Sequence, residues 1–271
     1  MMKKRLLYIL LPLFLACNGD KADGVDHDLQ NQVSVAAPQQ LIFSVDNTYP
    51  HDTGAYTQGL QVYNKKLYEG TGDYSFSNLR ITDIHTGKVE KKHPMGSNKI
   101  FGEGITILNN KIYQLTWQSH MVYVYDIKNI DLPIQTFNWP YEGWGITNNG
   151  TDLIISDGTA NIYFVNPVDF KVKNTIQVKA NTGYIDSINE LEFIDGFIFA
   201  NVYLQDFIVK IDPATGHVVG RIDLPGIIKQ YAPNFTAREG EVLNGIAWDS
   251  ATKKLYLTGK HWPLVFEGTL K

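Results

Sequence analysis

The stretch FGEGITILNNKIYQLTW (residues 101–117) determines the fold, because similar stretches occur four more times along the chain. It begins with a short apolar strand, turns at Asn109–Asn110 and returns as a second strand with alternating apolar residues. Segments with this pattern span residues 56–72, 142–158, 188–203 and 242–259. Repeats of this length are typical of arrays of small β-sheets.

The repeats also predict how many strands each unit contains. They align at Gly59, Gly104, Gly145, Leu191 and Gly245, which lie 45, 41, 46 and 54 residues apart. A third strand follows in most units, and a fourth closes the unit, as in residues 136–140 and 220–225. Four short antiparallel strands per unit at this period predict an all-β protein, a five-bladed β-propeller.

The two ends of the repeat region predict how the ring closes. The last unit has no fourth strand after residues 263–270, whereas residues 41–49 (LIFSVDNTY) form a strand without a partner in the first unit. We therefore predict that this N-terminal strand completes the last blade, which removes exposed strand edges. The longest insertion, residues 226–241, is predicted to be a surface loop.

The N-terminal segment predicts export and a lipid anchor. Residues 1–16 contain three basic residues followed by an apolar stretch that is too short for a comfortable transmembrane helix, as in a signal peptide. The sequence FLAC, which ends at the lone Cys17, resembles the lipobox of bacterial lipoproteins. This resemblance implies lipidation of Cys17 and a location in the bacterial cell envelope, facing the periplasm or the outside. An ordinary signal peptide with an unmodified Cys17 is the alternative.

Three regions follow from these patterns: the signal peptide (1–16), a polar, lipid-anchored linker (17–40) and the propeller (41–271). The formal net charge of −4, without a basic stripe, argues against nucleic acid as a partner. The seven His residues show no metal-binding spacing such as HExxH, and no GxSxG nucleophile motif occurs. We therefore expect neither a metal site nor a cofactor. We also expect the protein to be a monomer.

Polar and aromatic residues open the first strands of the units, where a packed core would have small or apolar ones. Because the first strand of each blade lines the central channel, these residues converge on one mouth of it. They are Gln58, Glu103, Trp144, Asn189, Glu190 and Asn244. For Glu190 and Asn244, a structural role that ties blades together fits the pattern as well as a functional one. Trp117 and Lys260 end second strands and are expected near the same mouth.

These motifs resemble those of the plant-type and bacterial glutaminyl-peptide cyclotransferases. The resemblance covers residues 41–270, with one motif per blade, such as AYTQG, FGEG, EGWG and TGKHW. It implies a five-bladed propeller that converts N-terminal Gln of peptides to pyroglutamate, releases ammonia and needs no metal. It assigns Tyr56, Gln58, Phe101, Trp117 and Trp144 to substrate binding.

The resemblance also places Asn189 and Lys260 in the site, together with Glu103. Tyr56 stands where the family usually has Phe, and Tyr203, a further wall residue, stands where it usually has Trp. We expect Glu103 to transfer a proton from the attacking amine to the leaving nitrogen. Lys260 or Asn189 would stabilise the developing oxyanion.

Fold alone does not decide function, so other classes of protein stay open. The main alternative is a non-catalytic propeller lipoprotein that binds a peptide or a glycan at the same mouth. A metal-dependent hydrolase is a second alternative, which the His spacing disfavours.

Overall fold

The computed structural model of the protein describes residues 35–95 and 97–271. The predicted signal peptide, Cys17 and the linker up to residue 34 lie outside these residues. The described chain consists almost entirely of β-strands and contains one short α-helix. Within it, no helix is long and apolar enough to cross a membrane.

Two strands, β1 (Gln39–Leu41) and β2 (Phe43–Pro50), precede the repeats. The first three blades then follow in chain order, each with four antiparallel strands. The first blade contains β3 (Thr57–Tyr63), β4 (Lys66–Thr71), β5 (Asn78–Asp83) and β6 (Val89–Pro94). The second contains β7 (Gly102–Leu108), β8 (Lys111–Thr116), β9 (Met121–Asp126) and β10 (Gln135–Asn138). The third contains β11 (Ile146–Asn148), β12 (Leu153–Ser156), β13 (Asn161–Val165) and β14 (Val172–Gln177).

A small hairpin of β15 (Lys179–Ala180) and β16 (Gly183–Tyr184) leads into the fourth blade. That blade contains β17 (Ile188–Ile194), β18 (Phe197–Val202), β19 (Phe207–Ile211) and β20 (Val218–Asp223). After α1 (Ile227–Tyr231), the last repeat forms β21 (Leu243–Asp249), β22 (Lys254–Gly259) and β23 (Leu264–Leu270). The five-bladed propeller predicted from the repeats is confirmed. The predicted surface loop at 226–241 differs in one respect, because it contains α1, whose Ile227 is buried.

The N-terminal strand closes the ring as predicted. β2 pairs antiparallel with β23 along its whole length, from Phe43 opposite Leu270 to Pro50 opposite Leu264. β1 was not predicted: it pairs in parallel with β20 and adds a fifth strand to the fourth blade. It includes Gln39 and Gln40, so the sheet begins two residues before the predicted start of the propeller at residue 41.

The core is divided among the blade interfaces. In the described chain, five clusters of buried apolar side chains lie one between each pair of neighbouring blades. The cluster that includes Leu60, Leu67, Tyr256 and Val265 packs the first blade against the fifth. Each blade therefore buries both faces, and apolar burial itself favours the closed ring.

Turns and glycines allow the sequence to form this geometry. Asn109 and Asn110 both have positive φ, 52° and 62°, as a tight hairpin between β7 and β8 requires. Near the axis, a Cβ on Gly104 would lie 2.7 Å from the carbonyl oxygen of Trp144. Glycine at this repeat position lets the innermost strands of neighbouring blades approach closely.

A polar cluster joins the closing segment to the first blade. His51, just after β2, donates from Nδ1 to the carbonyl of Trp262 at 2.8 Å, and its Nε2 lies 3.1 Å from Glu69 Oε1. Burial opposes the charged form of His51, but Glu69 raises the pKa of the imidazole above its ordinary value. Arg80 links to Asp52 at 2.7 Å. His51 thus has a structural role.

We predict that β2 is essential for folding and that β1 is not. A protein of residues 35–271 keeps both strands, one of residues 42–271 lacks β1, and one of residues 51–271 lacks both. Loss of β2 leaves β23 as an open edge and uncovers the core beneath it, so the shortest protein should show no cooperative thermal transition. Loss of β1 should lower Tm by only a few degrees. Near-UV circular dichroism during heating measures this, and equal Tm values for the longest and shortest proteins would disprove the prediction.

Candidate active site

A pocket of about 220 Å³ opens at the mouth of the channel. The nine residues that line it are the nine that the sequence assigned to the site: Tyr56, Gln58, Phe101, Glu103, Trp117, Trp144, Asn189, Tyr203 and Lys260. All five blades contribute, so the pocket exists only in the closed ring.

β-bulges aim the first-strand residues at the pocket. The register of β3 against β4 shifts between Thr57 and Gly59, which leaves Gln58 outside the ladder. Shifts between 102 and 105, 188 and 191, and 243 and 246 do the same for Glu103, Asn189 and Asn244. Because a bulge leaves a residue unpaired and bends its strand, it re-aims side chains that the pleat would otherwise send into the core.

Half of the other six pocket residues come from the ends of second strands. Trp117 follows β8, Tyr203 follows β18 and Lys260 follows β22. First strands begin, and antiparallel second strands end, at the same side of each blade. The strand order therefore places both groups of residues at one mouth.

Gln58 connects Glu103 to Lys260 at the floor of the pocket. Its Nε2 donates to Glu103 Oε1 at 3.1 Å, and its Oε1 accepts from Lys260 Nζ at 2.8 Å. Asn244 Nδ2 also donates to this oxygen, at 3.3 Å. Among the ion pairs of the described residues, none joins Glu103 directly to Lys260 within 4 Å. The Gln58 amide is therefore already engaged by the protein, and the substrate-binding role expected for this pocket residue stays a prediction.

Burial shifts the pKa values of Glu103 and Lys260 in the directions that favour their uncharged forms. Glu103 is only 4% exposed and Lys260 only 2%. Desolvation raises the pKa of Glu103 well above its ordinary value, although Lys260 opposes this shift. Desolvation lowers the pKa of Lys260 to about 8. At Glu103 the effect of burial therefore outweighs that of the lysine.

Aromatic rings surround this polar floor. Phe101 packs edge-on between Tyr56 and Trp117, with ring centroids 5.9 Å and 5.8 Å away. Trp144 packs edge-on against Tyr203 at 5.7 Å. The Lys260 ammonium lies 4.5 Å from the Tyr56 ring centroid and 5.0 Å from that of Tyr203. Tyr203 therefore still forms a wall and also contacts the lysine through its π-face.

Asn189 presents a hydrogen-bond acceptor without a partner in the protein. The residue is 1% exposed, and its Oδ1 has no hydrogen bond. Buried polar atoms are normally paired, so an unpaired one in a pocket wall points to a ligand. Oδ1 is an acceptor, which suits a substrate N–H better than an oxyanion.

Glu142 is a site residue that sequence reasoning missed. Its Oε2 accepts from the indole of Trp117 at 2.7 Å and from the indole of Trp144 at 3.0 Å. Gln118 donates to the other carboxylate oxygen at 2.9 Å, and these donors hold the pKa of Glu142 below its ordinary value against the effect of burial. One carboxylate thus fixes two walls from different blades. The available signal was its position two residues before Trp144 in EGWG.

Glu190 and Asn244, for which the sequence allowed either a structural or a functional role, hold neighbouring blades together. Glu190 accepts backbone N–H groups from Leu60 at 3.2 Å and Ile246 at 2.8 Å, and so connects three blades across the axis. Asn244 supports Gln58 and also donates to the carbonyl of Thr57 at 2.9 Å. Within residues 35–95 and 97–271, no group of three or more His, Cys, Asp or Glu side chains could hold a metal ion.

The buried charge of Lys260 should lower the free energy of unfolding of the protein. Folded Lys260 loses its proton near pH 8 and the unfolded residue near 10.5, so the unfolded state binds more protons between these values and stability rises with pH there. We predict that Lys260→Met stabilises the fold at pH 7 by up to about 3 kcal/mol and that this gain shrinks by pH 10.

Urea unfolding at both pH values measures this difference. Lys88→Met, at an exposed position, serves as the control and should show no comparable gain. A Lys260→Met protein that is less stable than the parent at pH 7 would show that the buried charge is stabilising.

Comparison with known proteins agrees with this geometry. The glutamine cyclotransferase family model matches residues 22–270. A glutaminyl-peptide cyclotransferase of Arabidopsis thaliana is 38% identical over 224 residues, which cover 82% of this chain and 69% of the relative. The crystal structure of Myxococcus xanthus glutaminyl cyclase superposes with a TM-score of 0.80 at 31% identity and covers 86% of this chain and 98% of that one. The chain therefore belongs to the glutamine cyclotransferase family.

Proposed function

We propose that this enzyme is a glutaminyl-peptide cyclotransferase, which converts the N-terminal Gln of peptides to pyroglutamate and releases ammonia. The observation that carries the proposal is the buried series Glu103–Gln58–Lys260 beneath aromatic walls. It places a carboxyl group with a raised pKa and an ammonium group in one small pocket.

The pocket suits an intramolecular reaction. The α-amine of the substrate attacks its own γ-carboxamide carbon, so catalysis depends largely on holding the side chain in a curled conformer. A volume of about 220 Å³ between aromatic rings favours such a compact conformer over an extended one. Hydrogen bonds to Glu142 keep the indoles of Trp117 and Trp144 in place as the substrate binds.

Glu103 transfers the proton between the two nitrogen atoms. As the new N–C bond forms, the attacking nitrogen gives a proton to the carboxylate of Glu103. The same carboxyl group then protonates the leaving nitrogen as the old C–N bond breaks, and ammonia departs. A pKa raised by burial brings the acid closer to that of an α-amine, about 7.7–8.0, so that both transfers are feasible.

Lys260 and Asn189 stabilise the reacting groups. The ammonium of Lys260 is held by Gln58 and, while charged, stabilises the oxyanion of the tetrahedral intermediate. The unpaired Oδ1 of Asn189 accepts an N–H from the substrate carboxamide or amine. Where the carboxamide donates this N–H, the contact also favours Gln over Glu, because a carboxylate has no N–H.

A non-catalytic peptide- or glycan-binding protein was the alternative. Binding alone gives no reason to bury an acid at the floor of the pocket, where desolvation is costly. No feature of the described residues favours this alternative over the enzyme.

We predict that Glu103→Gln lowers kcat for a peptide with N-terminal Gln by about 10²–10⁴-fold. The amide keeps the size of the side chain and can still accept from Gln58, so KM should change little. Ammonia release measures turnover, and Tm is measured on the same preparation.

Glu192→Gln is the matched control, because Glu192 is also buried with a raised pKa, of about 8, but does not line the pocket. Changing it should affect Tm and leave kcat nearly intact. Near-normal turnover by Glu103→Gln would refute the proton-transfer role.

We further propose that Cys17 carries a lipid and anchors a monomeric enzyme in the bacterial cell envelope. The lone cysteine directly after the apolar segment supports the anchor, and a pocket built from one chain supports the monomer. Cys17→Ser should move the protein from the membrane fraction to the soluble fraction without loss of turnover. Mass spectrometry that finds an unmodified Cys17 in the membrane-bound protein would contradict the anchor.

A further inference from the structure

A second cavity, of about 230 Å³, adjoins the pocket. It is lined by Thr53, Phe235, Thr236, Arg238, Glu241 and His261. His261 directly follows Lys260, and its ring packs edge-on against Tyr56 with centroids 5.2 Å apart. A Cβ on Gly240 would lie 3.7 Å from the hydroxyl oxygens of both Tyr56 and Tyr203. The segment around Gly240 thus forms a rim shared by the pocket and the second cavity.

Contacts within the protein hold this rim in shape. The backbone N–H of Arg238 donates to Glu241 Oε2 at 2.7 Å, and that of Glu241 donates to the Arg238 carbonyl at 3.1 Å. The indole of Trp262 donates to the Glu241 carbonyl at 3.1 Å. A rim organised in this way loses little conformational entropy when an extended ligand binds along it.

The lining offers groups that suit a peptide. His261 Nδ1 lies 2.8 Å from the Thr53 carbonyl, which can only accept, so Nδ1 donates and Nε2 of the neutral ring is an acceptor. A backbone N–H of a peptide is the matching donor. The side chain of Arg238 is 89% exposed, and its Nε lies 3.8 Å from Glu241, so the guanidinium keeps donors for a carboxylate. Phe235 adds an apolar surface.

We propose that this cavity binds the second and third residues of the peptide substrate and favours an acidic side chain at one of them. The inference rests on the proposed function. Formation of the pyroglutamate ring uses only the amine and the side chain of the first residue. The rest of the peptide must therefore leave the pocket. The rim around Gly240, which lies beside Tyr56, provides a path for it. Along this path His261 offers an acceptor for the main chain, and Arg238 offers a cation for a side chain.

Substrates of two lengths test the proposal. Glutamine amide fills only the pocket, whereas the tetrapeptides Gln-Glu-Glu-Ala and Gln-Lys-Lys-Ala reach the cavity and differ in charge at both the second and the third residue. The readout is the ratio of kcat/KM for each tetrapeptide to kcat/KM for glutamine amide. His261→Phe keeps a ring against Tyr56 but removes the acceptor, and should lower this ratio by about two- to tenfold for both tetrapeptides. Arg238→Ala should lower it by about two- to fivefold for the Glu peptide alone.

Two further variants are controls. Arg221, also on the surface, pairs with Asp223 in β20, and Arg221→Ala should leave the ratio unchanged. Phe76 is 67% exposed in the loop between β4 and β5. The variant Phe76→Ala tests whether the peptide chain instead leaves the pocket over that loop. The subsite is disproved if the ratio is unchanged in both His261→Phe and Arg238→Ala, or if it falls only in Phe76→Ala. Turnover of glutamine amide in the same experiment would still support the proposed enzyme activity. If no Gln substrate reacts, including glutamine amide, both proposals are wrong.

Discussion

The hydrogen bonds that Gln58 makes to Glu103 and Lys260 are the interaction on which the site depends. An acid and a lysine buried in contact would form a simple ion pair, with the carboxylate ionised. The intervening amide separates them, so desolvation dominates at both groups: the pKa of Glu103 rises and that of Lys260 falls to about 8. Burial thereby makes Glu103 a better proton acceptor and donor for the substrate nitrogens. Lys260 loses its proton near pH 8, the range in which an α-amine also loses its proton.

The fold is what makes this arrangement possible. Each of the three residues lies on a different repeat or strand end, and only a closed ring brings all of them to one mouth. Bulges release the side chains of the first strands, and glycines let those strands approach. Ring closure by β2 is therefore a requirement of the site as well as of stability. The stability lost by burying Lys260 is offset by five apolar interfaces between blades.

The repeats predicted the ring and placed six of the nine pocket residues at one mouth, because the same repeat position always faces the same mouth. The other three, Tyr56, Phe101 and Tyr203, came from the resemblance to the cyclotransferases. It could not predict contacts that depend on side-chain rotamers across blades. Glu142 lies in a loop, and nothing in EGWG shows that one carboxylate would bind two indoles. Gln58 was expected to bind substrate from its place at the mouth and from the family resemblance. Its hydrogen bonds to partners 45 and 202 residues away could not be read from a local pattern. β1 escaped prediction because QQL lacks alternation and pairs through a tertiary contact with the fourth blade.

The pH dependence of kcat/KM tests most directly whether this buried unit operates as described. The substrate must present a neutral α-amine, so activity should rise toward pH 8 as the amine, with a pKa of about 7.7–8.0, loses its proton. Lys260 must be charged to stabilise the oxyanion, so activity should fall above pH 8, where the buried lysine loses its proton. The account predicts a bell-shaped profile with its maximum near pH 8. A profile that rises and then stays level to about pH 10 would show that the charge of Lys260 is not needed and would contradict the account.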